Sequence, residues 1–421
     1  MPTHKPRMPT RRMPMSARRA ASGAAIGGAL LLVIFGGWSP TSADGRGNHD
    51  PTATAAASAP PSSPAPQEND EWSLFRRNSA LNGTLPGGAL ADDLAPLWMF
   101  EAGDSIESTA AIVDGRVYFG SLDTFFYALD LETGEELWRF QAAAEVKSSP
   151  SVFDGVVYFG DEFGEFHALD AVTGEEKWSF STGAGIVSAA NYADGKLVFG
   201  SYDNSLYALN AEDGSMAWRI QTEGYVNGTP AIVDGKVVSV GCDGFCRVVD
   251  LTSGDLLAEI LVYAYVGSSP SIADGIAYFG TFENQVLAID LETGELLWEY
   301  EHPQRKFPFY SSAAVSAGRV LIGGRDKMMH AIDAATGESL WTYRMRARID
   351  SSPVIFGDRV VFGGSSGEIS ILDVTNGDVI WQFDTASSIV ASPAIARGRL
   401  VIGTEDGQMY AFGPAGGGGD R

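Results

Sequence analysis

Four groups of residues in this 421-residue sequence have types and spacings that could do chemistry. Gly363-Gly364-Ser365-Ser366-Gly367 matches G-x-S-x-G, in which a hydrolase serine is exposed on a strained strand–turn–helix elbow. Here β-rich runs lie on both sides and no helical period follows, so the match reads as a hairpin turn. Cys242 and Cys246 flank Asp243-Gly244-Phe245. Across a three-residue turn they fit either a disulfide, which we expect in an oxidising compartment, or two free thiols. A metal site would need further ligands, and none lie nearby in sequence. His167 and His330 occupy a position held by Tyr127, Tyr207 and Tyr410 in similar segments, and His302 stands alone in a loop. They read as packing residues rather than a shared metal site.

The fourth group is basic and aromatic. EHPQRKFPFY (301–310) and WTYRMRARID (341–350) bring Arg305, Lys306, Phe307, Phe309, Tyr310, Arg344, Arg346 and Arg348. Strand alternation would put the last three arginines on one face. Residues 301–350 hold eight Lys/Arg against five Asp/Glu, inside a chain of net charge −24. Tyr263 and Tyr265 precede them. Aromatics beside arginines are typical of protein-binding surfaces, and these ten residues are the expected partner site.

The elements that position them follow from a repeat. ALDLETGEELW (128–138) recurs as ALDAVTGEEKW (168–178), ALNAEDGSMAW (208–218), AIDLETGELLW (288–298), AIDAATGESLW (331–341) and ILDVTNGDVIW (371–381), with a degenerate VVDLTSGDLLA (248–258). Trp98, Trp138, Trp178, Trp218, Trp298, Trp341 and Trp381 fall on a lattice of spacing 40, broken by a single 43 where 301–310 enters. A period of this size means a solenoid or a propeller. Within one unit (148–180), four short β-rich runs are separated by turns. That is a four-stranded antiparallel blade. The turn aspartate can accept the turn's N–H groups, and the glycine supplies the left-handed conformation. The tryptophan can wedge between neighbouring blades. The last unit supplies three strands, and the missing fourth is the run around Trp98. The expected fold is therefore all-β, an eight-bladed propeller over 94–413, its ring closed by an N-terminal strand. One channel mouth would be ringed by Glu107, Lys147, Val187, Asn227, Gly267, Tyr310, Asp350 and Val390, with no repeated charge.

Repeats of the form A-x-D-x-x-T-G-x-x-x-W resemble the tryptophan-docking repeats of the PQQ-like (quinoprotein-type) propellers, and Glu71-Trp72-Ser73-Leu74-Phe75-Arg76 is similar to their W-x-x-F-R lead-in. The resemblance implies the fold strongly and the function weakly, since the architecture hosts dehydrogenases, scaffolds and sensors. Dehydrogenases of this superfamily clamp quinone against adjacent cysteines and hold Ca²⁺ with acidic and amide groups. This chain has no adjacent cysteine pair, so no catalytic residue, cofactor or metal is expected. The compact members that serve outer-membrane β-barrel assembly are the better match.

Residues 1–43 carry six Lys/Arg and no acid, then an apolar stretch Ala24 to Trp38 and the small residues Thr41-Ser42-Ala43. This is the pattern of an export signal, cleaved or retained as an anchor. Residues 44–70 read as an Ala/Pro/Ser-rich linker, 71–93 as a lead-in and 414–421 as a Gly-rich tail. The rest of the chain is so acidic that nucleic acid is excluded as a partner. The function expected is a monomeric, non-enzymatic interaction scaffold, periplasmic or membrane-anchored, with envelope or outer-membrane proteins as partners. The alternative is a small PQQ-binding oxidoreductase.

Overall fold

The computed structural model describes residues 71–86 and 90–415. The export signal, the linker and residues 416–421 lie outside the described residues. Every regular element described is a β-strand, and the strands form eight sheets.

Blade 1 shows the pattern: strands Ala111–Val113, Arg116–Gly120, Phe125–Asp130 and Glu136–Gln141, each antiparallel to the next. The second and third strands are buried on both faces and read as near-continuous apolar runs, such as VYFG and FYAL. The outer strand alternates and carries a bulge before its tryptophan, as between Glu176 and Trp178 in blade 2. Bulges twist an edge away from further pairing. Blade 8 takes Ala394–Ala396, Arg399–Gly403 and Gln408–Pro414 from the end of the chain and Leu94–Glu101 from its beginning. The closing strand is where the repeat arithmetic places it.

Each of the seven tryptophans spans a blade junction. Trp138 Nε1 donates to Ala171 O (3.2 Å), Trp98 to Leu131 O (2.8 Å), and Trp381 to Leu94 O (3.1 Å) across the seam. Its ring lies on the glycine of the next turn. A Cβ on Gly174 (φ +73°) would stand 2.6 Å from Trp138, so glycine is required there by backbone and by packing. The turn aspartate works as expected: Asp170 Oδ1 accepts from Val172 N (2.9 Å) and Thr173 N (3.0 Å). These bonds, behind the pairing with Lys177, hold its carboxyl below the usual range.

A second ring of contacts lies nearer the channel. Thr109 N donates to Ser149 Oγ, Ala189 N to Thr229 Oγ1, Thr229 N to Ser269 Oγ, and so on through Ser312, Ser352 and Ser392 back to Thr109. The one missing link is at Ala189, which has no hydroxyl to offer Ser149.

The lead-in is more than an approach to the first strand. It runs around the ring along the channel-facing edges of the innermost strands. Trp72 exchanges two backbone bonds with Ile112 in blade 1. Ser73 O accepts from Val152 in blade 2, Ser79 O from Asn191 Nδ2 in blade 3 and from Ile232 N in blade 4. Ala80, Asn82 and Gly83 then accept from Ile272, Val315 and Ile355 in blades 5, 6 and 7. Glu71 reaches Arg397 of blade 8 (3.3 Å). An exposed strand edge is an aggregation hazard, and this strap bonds the backbone edges of six inner strands, reaching blade 3 through the Asn191 side chain and blade 8 through the Glu71–Arg397 pair. Arg76 pins it: buried, at φ +63°, its guanidinium donates to Pro353 O and to Ala313 O (2.6 Å). Burial lowers its pKa to about 9. A Cβ on Gly83 would collide with that guanidinium at 1.9 Å, which fixes glycine there.

Candidate functional site

A blade's strands run alternately up and down, so the two kinds of loop sort onto two faces. The crossovers between blades and the hairpins joining second to third strands share one face. Each crossover docks on the hairpin of the blade it enters by the same backbone bond: Glu162 N to Glu145 O, Phe282 N to Tyr265 O, Arg325 N to Pro308 O, Ser365 N to Arg348 O. Gly364 to Gly367 is the hairpin turn of blade 7, closed by Gly367 N to Gly364 O (2.9 Å), and no helix follows. Ser365 is thus a turn residue without a nucleophile's elbow.

The expected binding residues come to this face with two corrections, and the cysteine pair needs a third. Phe309 is not a surface residue. It is 2 % exposed and packs in the core between blades 5 and 6, with His330 edge-on at 5.2 Å. It holds the position that Val146, Ile186, Val226, Val266, Ile349 and Ile389 hold at other junctions, all buried. That register was readable in the sequence, but the three-residue insertion obscured it. The second correction concerns the arginines. The strand Ser339–Arg344 ends at Arg344, so Arg346 and Arg348 belong to the crossover. All three side chains are exposed, with Met345 buried between the first two and Ile349 buried after the last. Arg344 and Arg346 border an open cleft with Gln382 and Asp384, where Arg346 pairs with Glu368 (3.2 Å) and Asp384 (2.6 Å). Arg348 turns to the channel mouth and pairs with Asp350 (2.8 Å).

The third correction is the cysteine pair. Both thiols are free. Cys246 lies opposite Val240 in the strand register, not opposite Cys242, and faces the core between blades 4 and 5. Cys242 Sγ lies instead near Asn227 Nδ2 (3.5 Å) and Val266 O (3.8 Å). Burial pushes Cys246 up to about 12 and raises Cys242, so both stay protonated at neutral pH. The histidines are packing residues with polar partners. His167 Nδ1 lies 2.8 Å from Glu176 and its Nε2 3.7 Å from Asp161, while His330 bonds Tyr300 and Asp326. Asp123 and Asp203 bind Tyr127 and Tyr207 in the same way.

The blade 6 hairpin, missed in sequence, is what joins the site. Asp326 O accepts from Arg305 Nη1 (3.1 Å), and Lys327 Nζ reaches Arg346 O (3.2 Å). Arg325 makes a two-pronged pair with Asp350 (2.9 and 3.0 Å) and covers the Tyr310 ring at 3.4 Å. Tyr310 in turn stacks on Phe282 at 4.5 Å, next to the crossover bearing Tyr263 and Tyr265, which are 74 % and 56 % exposed. Phe307 is 48 % exposed, and Lys306 pairs with Glu301. Gly-Arg-Asp-Lys (324–327) aligns with Ser-Leu-Asp-Thr (121–124) of blade 1, so comparing hairpins position by position would have found these cations.

The far side of the same mouth is acidic. Glu107 lies among Glu405, Glu162 and Asp104, with Lys147 bound to Glu162 (2.9 Å). Burial raises the Glu107 pKa, Lys147 opposes the rise, and the surrounding carboxylates add to it. A quinone clamp does not fit: Cys242 and Cys246 are neither adjacent nor facing. Among the described residues no three His, Cys, Asp or Glu side chains converge to hold a metal ion.

Comparison with known proteins fits this geometry. A family model described as outer membrane protein assembly factor BamB matches residues 90–190, 126–304 and 283–419. No curated protein sequence matches. Among solved structures, BamB from Moraxella catarrhalis is 18 % identical with a TM-score of 0.65, covering 76 % of this chain and 100 % of its own. The quinohemoprotein alcohol dehydrogenase of Comamonas testosteroni is 13 % identical with a TM-score of 0.70, covering 82 % of this chain and 81 % of its own. A europium-containing methanol dehydrogenase has the same identity and TM-score, covering 83 % and 98 %. At such identities the solved structures speak for the fold alone, whereas the family model spans the whole propeller: this chain belongs to the PQQ-like repeat family of outer membrane protein assembly factor BamB.

Proposed function

We propose that this protein is a non-catalytic scaffold of the cell envelope, which holds partner proteins on the crossover face of blades 5 to 7 and assists outer-membrane protein assembly. The observation that carries the reading is the joined set Tyr310, Arg325, Asp350 and Arg348, set beside exposed Tyr263, Tyr265 and Phe307. Desolvated aromatics and arginines are what partner proteins bury most productively. Family membership supports the role and the envelope location. The dehydrogenase reading shares the fold but lacks its donor set, so no redox step is assigned.

The test is photo-crosslinking in cells from a probe residue at Tyr263, Phe307 or Arg348, with Lys236 on the opposite face as control. Capture of envelope proteins from the first three positions alone supports the scaffold. In parallel, quinone with Ca²⁺ should leave the absorbance and melting temperature of the purified protein unchanged; stoichiometric binding would overturn it.

A further inference from the structure

The crossover face is divided by charge. Over blades 8, 1 and 2 its loops carry Asp104, Glu107, Glu145, Glu162, Glu405 and Asp406 around a single Lys147. Over blades 6 and 7 the loops and adjoining strand ends carry Arg305, Lys306, Arg325, Lys327, Arg344, Arg346 and Arg348. Between them, on blades 4 and 5, stand Tyr225, Tyr263 and Tyr265, at 52 %, 74 % and 56 % exposure.

The positive sector is not uniform. Glu301, Asp326, Asp350, Glu368 and Asp384 are interleaved with its seven cations. Asp350 is shared by Arg325 and Arg348, which leaves one positive charge uncompensated at the channel mouth beside the Tyr310 ring. So small a local excess, next to a strongly acidic sector, would not hold a continuous polyanion such as an anionic lipid surface. It suits a ligand with a few discrete carboxylates and bulky apolar groups. The chain also enters the propeller on the other face, where Glu71 lies beside the turns at Asp114 and Arg397.

Building on the scaffold reading, we propose that the partner element seated here is an extended acidic polypeptide segment with interspersed large apolar residues, its carboxylates on blades 6 and 7 and its apolar side chains on the tyrosines of blades 4 and 5. The acidic sector repels the segment from the remaining blades and so sets its direction.

The full-length protein would be titrated with three probes: a synthetic peptide of alternating Glu and Phe or Leu, the same peptide with Gln for every Glu, and vesicles rich in phosphatidylglycerol. Binding of the acidic peptide is expected to weaken as salt rises. Lys327→Glu with Arg348→Glu should lower its affinity roughly tenfold or more and flatten that salt dependence. Tyr263→Ser with Tyr265→Ser should weaken binding while keeping the salt dependence, and Lys236→Glu should change nothing. Equal binding of the Gln peptide, preferential binding of the vesicles, or unchanged affinity in the charge-reversal variant would overturn the proposal. If cellular crosslinking from Arg348 still captures envelope proteins while peptide charge is irrelevant, this inference falls and the scaffold stands. If no envelope protein is captured, the scaffold itself falls.

Discussion

On the face that receives the lead-in, the turns between first and second strands repeat with little change. Asp114, Asp154, Asp194, Asp234 and Asp274 all adopt φ near +50°, each followed by a glycine near +70°. On the opposite face the corresponding positions differ from blade to blade: Leu122, Glu162, Tyr202, Cys242, Phe282 and Arg325 follow one another around the hairpins. Both faces are built from the same repeat. On the first, the turns must hold inner strands in register for a strap that bonds the backbones of six of them, and that requirement recurs around most of the ring. On the second, no shared requirement sets the side chain, and its partners change from blade to blade (Lys147 for Glu162, Tyr310 for Phe282, Asp350 for Arg325), which leaves the position free for the recognition we propose. Regularity marks the part that closes the ring, and irregularity marks the part for which we propose a binding role.

Deleting residues 71–103 should show the largest effect. It removes the strap and the fourth strand of blade 8, leaving open edges on six inner strands and at the seam. Aggregation or much earlier melting is expected; a soluble truncation with unchanged melting would mean that the faces do not differ as described. Arg76→Ala is next. It leaves Pro353 O and Ala313 O buried without their donor, at a cost of about 2–4 kcal/mol in denaturant unfolding. The strap then separates from a face whose surface variants should stay within about 0.5 kcal/mol of wild type.

His167→Tyr, the residue of blades 1 and 3, should alter the pH dependence of stability. Burial disfavours the His167 cation, but bonds to Asp161 and Glu176 outweigh it, so the folded pKa is raised. A raised pKa stabilises the fold below the unfolded value of about 6.5, and that contribution is lost as pH rises through the folded pKa. Melting of the wild type should therefore fall relative to His167→Tyr on going from mildly acidic to mildly alkaline pH. The smallest effect is Ala189→Ser, which supplies the missing hydroxyl for Ser149 N; one added hydrogen bond would stabilise by about 0.5–1 kcal/mol.

The fold was legible because its signal is periodic. Trp138 and its counterparts, the turn aspartates and the left-handed glycines recur every 40 residues, and even the closing strand at Trp98 shows as a displaced member of the series. The strap was visible only as Trp72 and Arg76 in an unrepeated segment. Apart from side-chain bonds such as those of Arg76, Asn191 and the Glu71–Arg397 pair, its bonds run from backbone to backbone, as far as Gly83 to Ile355, and leave no repeated side-chain pattern to read. Within the site, the exposed arginines and tyrosines were found from composition, while Phe309 was misplaced because the insertion hid its register. Arg325 and Lys327 were missed because the basic excess of 301–350 was traced to the two crossovers, and the blade 6 hairpin between them was not set against the other hairpins. The cysteine bridge failed on register: proximity in sequence across a turn does not make two residues a cross-strand pair.

The central claim is that recognition belongs to one sector of the crossover face. Amide hydrogen exchange of the full-length protein, with and without a saturating acidic, apolar peptide, tests it most directly. The predicted result is slowed exchange in residues 263–267, 305–310, 325–327 and 345–350, with the turns from Asp114 to Gly275 unchanged. Protection of those turns or of the outer strands, with these four segments unaffected, would contradict it.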